Sequence, residues 1–350
     1  MAGLGPGPFA AMMLADHGAE VIRVERPGNL AVANDPLTRS RRSLAVDLKS
    51  EDGVAIVRRL AARADGLIEG YRPGVMERLG LGPDELLEAN PRLVYGRVTG
   101  WGQAGPLAAE AGHDINYLAL TGLLAGIGPR DGPPSVPANY LADFAGGGMM
   151  LAFGMVAALL AVQRGGDGQV IDAAMTDGAA LIGALTYGLR AAGMWSDARE
   201  SNLLDGGDPL YGCYRCADGK YLALGAIEPH FREALAEGLG VKEVTKAAVA
   251  RAVTKKTRDQ WVAHFAGKDA CVAPVLSLGE APANLHNRSR GTFVNVGGVL
   301  QPGPAPRYSA TACEPPSPPR QEGADNETIL AELGYGAAEI AGLKASGVLK

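Results

Sequence analysis

The sequence predicts an α/β protein, a parallel sheet with helices on its faces followed by a smaller α+β region. Three observations carry that expectation. From the start to about residue 175, short β-rich runs alternate with runs of helical period, the wiring of βαβ units. Between residues 211 and 225 two strand-like runs meet at Asp218-Gly219, a strong hairpin-turn signal. The 350 residues also allow two domains of ordinary size, each able to bury a core.

Taken in order, the opening Gly3-Leu-Gly5-Pro-Gly7-Pro8 invites a dinucleotide-binding reading with Glu25 as the ribose acid. It fails on spacing, because Pro8 occupies the last glycine place of GxGxxG. Prolines 6 and 8 instead suit the first turn of a helix through Phe9-Ala-Ala-Met-Met-Leu. A nicotinamide-dependent oxidoreductase is therefore a weak competitor. Strands are expected at Glu20–Glu25, Gly66–Glu69 and Leu93–Val98, with a helix over Ser50–Ala64 whose apolar positions 54, 56, 57, 60 and 61 keep the helical period. Phe144–Val162 carries no charge and is long enough to span a bilayer. Its glycines and alanines, and the absence of a second such segment, favour a helix buried in a soluble domain or at a subunit interface.

Residues 169–193 read as helical, and a loop rich in Asp and Gly (Leu203–Asp208) leads into the hairpin. The stretch Gln301–Arg320 is dense in proline and predicts an extended crossing segment. Helices over Glu327–Leu333 and Ala337–Ser346 close the chain. The expected boundaries are 1–178 for a large domain, 179–207 for a linker, 208–290 for a small α+β domain, 291–322 for a Pro-rich linker, and 323–350 for helices returning to the large domain.

A net charge of −5, from 33 basic and 38 acidic residues, argues against a nucleic-acid binder. Four cysteines (213, 216, 271 and 313) make no disulfide framework, so a reducing compartment is the default. The lone Cys213-Tyr-Arg-Cys216 pair has no zinc-type companion, and no metal is expected. No basic region precedes the first apolar run and Gly-Val-Leu-Lys is no peroxisomal address, which leaves the cytoplasm as the expected location.

Two segments carry chemistry. Ala111-Gly-His113-Asp114-Ile115-Asn116-Tyr117 and Leu141-Ala-Asp143-Phe-Ala-Gly-Gly-Gly148 place a histidine and a carboxylate thirty positions apart, each at the start of an apolar helical run. The pair suits proton transfer on two faces of one carbon. A loop histidine and a helix-capping aspartate would account for the same residues.

Both segments resemble the matching stretches of α-methylacyl-CoA racemases, members of the family III CoA-transferase superfamily. The resemblance continues through Gly5-Pro-Gly-Pro8, Leu14–Pro27, Arg41-Arg42 to Asp47-Leu-Lys49, Glu69–Gly80, Thr99–Pro106, Gly225–Pro229, Ala273-Pro-Val275 and Leu330–Gly334. It implies a Rossmann-like large domain, a small domain, and a homodimer of interlocked subunits. Transferases of the superfamily usually carry an aromatic residue before the aspartate of the Gly-x-Asp segment, where racemases have histidine; here it is His113. Superfamily members begin with one more strand before the opening helix, so the resemblance implies a large domain lacking its first strand.

The activity implied is interconversion of (2R)- and (2S)-2-methylacyl-CoA through an enolate, with no cofactor, since coenzyme A arrives as part of the acyl-CoA substrate. His113 and Asp143 would be the acid/base pair. Backbone N–H groups around Asp114 would face the enolate oxygen, and Glu228 would hold the imidazole in its working tautomer. Arg26, Arg72 and Arg78, with Val46-Asp47-Leu48-Lys49 and Gly70-Tyr71-Arg72, match positions touching the nucleotide end of coenzyme A. Gly112, Ile115, Asn116 and Tyr117 would line the thioester. The alternatives are a CoA-transferase using Asp143 as nucleophile and a non-catalytic CoA-binding or scaffold protein.

Overall fold

Parallel strands, each fed by a helix, organise the first half of the chain. The computed structural model describes residues 1, 3–26 and 35–349; Pro27, within one of the matching stretches, and Lys350, the end of the last predicted segment, lie outside the described residues. In order come α1 (Pro6–Asp16), β1 (Ile22–Glu25), β2 (Arg42–Ala45), α2 (Glu51–Ala61), β3 (Gly66–Glu69), α3 (Val75–Arg78), α4 (Pro83–Ala89), β4 (Val94–Thr99) and α5 (Asp114–Leu120). A π-helical stretch, Tyr140–Met149, runs directly into α6 (Met150–Gln163), followed by β5 (Gln169–Ala174) and α7 (Met175–Ile182). β1 pairs with β2, while β3, β4 and β5 form a second sheet, all strands parallel.

Local chemistry explains several of these elements. Ser50 caps α2 by accepting from the Gly53 N–H at 3.0 Å, and Glu51 and Asp52 in its first turn oppose Arg58 and Arg59 in its last. β4 is buried along its whole length, as the middle strand of a covered parallel sheet should be. Its one charge, Arg97, is held by Glu69 and Glu77, each at 2.8 Å. Gln169–Ala174, expected to be helical, is instead β5, in register with β4 from Val94↔Gln169 to Thr99↔Ala174. The open edge of β4 outweighs the helix preference of its alanines. β2, too short and too polar to signal a strand by itself, was not expected at all.

A second compact unit comprises Gly122–Pro137 and Gly183–Arg290. It contains α8 (Ala184–Ala191), β6 (Tyr211–Arg215), β7 (Tyr221–Gly225), α9 (Pro229–Leu239), α10 (Lys246–Val253), α11 (Arg258–Phe265), β8 (Val272–Pro274) and α12 (Leu285–Arg290). β6 and β7 form the antiparallel hairpin expected from Asp218-Gly219, with Gly219 at φ 78°, and β8 joins the far side of β7. Leu222, Leu224, Leu235, Val249, Val253 and Trp261 fill the core of this unit. Residues 122–137 belong here because Arg199 binds the carbonyls of Pro129 (2.9 Å) and Ala125 (3.0 Å).

The chain then rejoins the first unit through β9 (Phe293–Val296), β10 (Val299–Pro302), α13 (Asn326–Glu332) and α14 (Ala337–Ala345). The structure thus draws the boundaries differently from the sequence: α8 lies inside the expected linker 179–207, and the expected linker 291–322 holds a hairpin turning at Gly297-Gly298. Asp325 and Asn326 accept the Ser43 and Ala45 N–H groups, both at 2.9 Å, and so satisfy the outer edge of β2. Ile329, Leu330 and Leu349 complete a core with Val24, Leu44, Ile56, Leu93 and Tyr95.

Tyr140–Gln163 is the one helix, among the described residues, long and apolar enough to cross a membrane. Leu151, Met155, Ala158 and Val162 form a buried face, while Phe153, Val156 and Leu160 are exposed. The π-helical stretch is wedged so closely that side chains would not fit: a Cβ on Gly178 would lie 1.8 Å from the Gly146 carbonyl, and one on Gly148 2.7 Å from Phe9. Gly178→Ala should therefore cost at least about 1–3 kcal/mol, read as a lowered Tm. Gly188→Ala in α8, with open space around it, should instead stabilise by about 0.5–1 kcal/mol.

Candidate active site

In open parallel sheets, ligands bind beyond the carboxyl ends of the strands. Those ends carry most of the candidate residues: Arg26 follows β1, Val46–Lys49 follow β2, and Gly70–Arg72 follow β3. Beyond β4 the chain passes Gly100 and Trp101 and reaches His113, the extended residue that immediately precedes α5.

His113 is exposed, and its N–H donates to the Asn116 side chain at 3.1 Å, which fixes the entry into the helix. The next residue, Asp114, is buried, and its Oδ2 accepts from the N–H groups of Ala142 (2.7 Å) and Asp143 (2.8 Å). A π-helix leaves its first N–H groups without internal partners, and Asp114 supplies an acceptor for two of them. The start of α5 and the start of the π-helical stretch are thereby tied together, with His113 next to the residue that makes the tie and Asp143 itself held in it through its N–H. The Asp114 role expected from sequence rested on its backbone; its carboxylate turns out to be the structural clasp.

Asp143 is half-buried and accepts from the Asn139 amide at 3.2 Å. Burial pushes its carboxyl above the ordinary carboxylate value, and the Asp114 charge adds to the rise, while Asn139 and the charge of His113 oppose it. His113 and Asp143 therefore sit in one electrostatic neighbourhood. The turn into α1 forms a wall of the same place, since a Cβ on Gly5 would lie 3.7 Å from Asp143 Oδ2.

Tyr117 packs edge-on against Trp101, with ring centroids 4.8 Å apart, and its hydroxyl donates to the Gly112 carbonyl. Side chains at Gly100 and Gly112 would collide with its ring. Burial raises its phenol, and the charges of Asp143 and Arg72 also reach it, which brings Arg72 to the same site. The fully buried Glu69 accepts from Arg97 Nε at 2.8 Å and from the Tyr71 N–H at 2.7 Å, anchoring the Gly70–Arg72 turn.

Among the candidates, His113, Asp114, Asn116, Tyr117, Gly112, Asp143 and Arg72 are thus brought together. Arg26, Lys49, Arg78 and Ile115 are exposed, and Asp47 and Leu48 are partly so. Val46 differs: its side chain is wholly buried in the core beside Leu349, so only its backbone could meet a ligand. Glu228 lies in the second unit, exposed at the residue that precedes α9. Sequence reasoning missed Asn139, Trp101 and the Glu69–Arg97 anchor; only the position of Asn139, one turn before Asp143, could have suggested a role.

The raised carboxyl of Asp143 has a sign that can be measured. A group with a folded-state pKa above its unfolded value costs stability as the pH rises through that interval. Asp143→Asn should therefore match or exceed the unsubstituted chain in Tm at pH 7, with the difference fading as the pH falls toward the ordinary value of 3.8. Asp114→Ala, which strands two buried N–H groups, should lower stability by about 1–3 kcal/mol in chemical denaturation.

The family model of CoA-transferase family III matches residues 1–326. Over its whole length the chain is 44% identical to the α-methylacyl-CoA racemases of mouse and of human, covering 95% of each. It is 31% identical to the succinyl-CoA:glutarate CoA-transferase of mouse, over 98% of this chain and 87% of that protein. The crystal structure of a CaiB/BaiF family protein from Brucella suis superposes with a TM-score of 0.81 at 26% identity, over 95% of this chain and 97% of that one. The strand order, the site at the strand ends and these likenesses agree: the chain belongs to CoA-transferase family III.

Proposed function

We infer that this chain interconverts the (2R) and (2S) forms of 2-methylacyl-CoA thioesters by 1,1-proton transfer. The observation that carries the reading is the shared neighbourhood of His113 and Asp143, with the carboxyl held toward its protonated form, in a chain so similar to two α-methylacyl-CoA racemases. A neutral imidazole can take the α-proton from one face while a protonated carboxyl returns one to the other, and the roles exchange for the opposite enantiomer. The α-proton is too weakly acidic for a base alone, so the enolate oxygen needs donors; the first N–H groups of α5, at Asp114 and Ile115, are aimed by the helix for that task.

Glu228 would hydrogen-bond the His113 imidazole and steady its cation. Gly112, Ile115, Asn116 and Tyr117 would line the thioester, and Arg26, Lys49, Arg72 and Arg78, with the backbone of residues 46–48 and 70–71, would receive the nucleotide end of coenzyme A. No cofactor takes part, so exhaustive chelation should leave turnover unchanged. The working form is a homodimer of interlocked subunits, for which the exposed Phe153, Val156 and Leu160 on α6, continued by Leu181 and Ile182 on α7, offer an apolar face. It operates in the cytoplasm.

One enantiomer of a 2-methylacyl-CoA incubated in D₂O should racemise with deuterium appearing at the α-carbon and no need for an acceptor acid. His113→Ala and Asp143→Ala should each lose about 10²–10⁴-fold in rate with the fold retained by circular dichroism. Coenzyme A transfer to an added carboxylic acid, with inactivation by hydroxylamine during turnover, would instead make Asp143 the nucleophile of a transferase. Acyl-CoA binding without either reaction would make the protein a scaffold.

A further inference from the structure

A side chain leaves its backbone in a direction set by the two dihedral angles of its own residue, and at His113 both are held. In the preceding peptide plane, the Gly112 carbonyl accepts from the Tyr117 hydroxyl and the His113 N–H donates to Asn116 Oδ1 at 3.1 Å. In the following plane, the His113 carbonyl accepts from the N–H groups of Asn116 (2.8 Å) and Tyr117 (3.2 Å). The second pair is what any helix gives the residue before it. The first pair needs an amide at position 116 and a phenol at 117. Together they set His113 at φ −136° and ψ 175°, which gives the bond carrying the imidazole one direction.

The phenol is itself fixed. Tyr117 is 7% exposed, its ring meets Trp101 edge-on, and the missing side chains of Gly100 and Gly112 leave the space that the ring fills. The loop beyond β4 is anchored in turn, because the Thr176 N–H and hydroxyl both donate to the Gly100 carbonyl, at 3.1 and 2.8 Å. Burial raises the phenol above its ordinary value, so it stays protonated and able to donate. A continuous prop therefore runs from α7 through the Gly100-Trp101 loop to Tyr117, and from there to the plane in front of His113. Asn116, exposed on α5, supplies the third-residue half of a capping box.

Proton transfer across one carbon needs each group within reach of its own face, and a displacement of about 1 Å can cost about 10²-fold in rate. Asp143 has a separate restraint, its N–H held by Asp114 Oδ2 at 2.8 Å. We propose, resting on the racemase reading above, that Asn116 and Tyr117 are the positioning residues of His113: beyond lining the thioester, they lock the peptide plane ahead of it so that the imidazole addresses one face of the α-carbon. Because the lock acts on His113 and not on Asp143, its loss separates the two halves of the reaction. For the enantiomer whose α-hydrogen faces Asp143, the carboxylate still takes the proton and the C–H electron pair passes into the enolate. In D₂O a solvent deuteron then replaces that proton on the carboxyl, which returns it to the same face of the carbon. This enantiomer exchanges without inverting. The opposite one, facing a displaced imidazole, loses exchange and inversion together.

The test follows (2R)- and (2S)-2-methyldecanoyl-CoA separately in D₂O with the full chain, reading initial rates of inversion and of α-deuterium uptake into recovered substrate. Tyr117→Phe keeps the ring and removes the hydroxyl, and Asn116→Ala alters an exposed residue, so both should retain the fold by circular dichroism. In each, kcat for inversion should fall about tenfold or more while KM stays within about threefold. The ratio of exchange to inversion should rise about tenfold or more for one enantiomer and should not rise for the other. Hydrogen exchange of the His113 amide should also quicken about tenfold in Asn116→Ala. Inversion at the unsubstituted rate in both variants, a loss confined to KM, or a ratio that rises equally for both enantiomers or for neither would each overturn the proposal. Failure of the unsubstituted chain to invert either enantiomer would sink the racemase reading, and this proposal with it.

Discussion

One carboxylate fixes the geometry on which the proposed chemistry depends. Asp114 accepts two N–H groups from the start of the π-helical stretch while itself being the first residue of α5. Two helix beginnings that are far apart in sequence are thereby held together, and each contributes a titratable side chain next to the clasp. A single side chain thus satisfies groups that a π-helix leaves stranded and sets the distance between a potential acid and a potential base. The same charge raises the carboxyl of Asp143, so position and proton affinity share one cause.

The surroundings make this arrangement rigid. The glycines 146–148 and 178 allow α1 and α7 to close on the π-helical stretch to within backbone contact, which leaves Asp143 little freedom. Across β3 and β4, Glu69 and Arg97 form a buried ion pair, and Glu69 also accepts from the Tyr71 N–H. Such pairs contribute little net stability, since desolvation offsets their attraction, but losing one partner is costly. Their value here is the fixed direction of the turn that presents Arg72.

How much of this could be read in the sequence follows from how local each feature is. β3, β4 and α2 were legible because their own residues carry the signal, and Asp218-Gly219 announced its hairpin unaided. β5 was not, because Gln169–Ala174 becomes a strand only against the waiting edge of β4, and β2 is defined by neighbours that arrive from both ends of the chain. His113 and Asp143 stood out as residue types at helix starts. The clasp by Asp114, the contribution of Asn139 and the Glu69–Arg97 anchor are long-range or side-chain-specific, and no periodicity reports them. Family likeness supplied what the residues alone left open, including Glu228, whose exposed place before α9 does not mark it out.

The outer edge of β2 carries a consequence for biosynthesis. Ser43 and Ala45 find acceptors only in Asp325 and Asn326, 282 and 281 residues downstream. A chain emerging from the ribosome completes the second unit, whose main segment ends at Arg290, before the residues that seal the first sheet have been synthesised. Its N-terminal strands must wait with an open edge through most of translation, the state in which nascent sheets are most prone to mispair. Expression yield should then depend on elongation speed and chaperone supply more than on the stability of the finished protein.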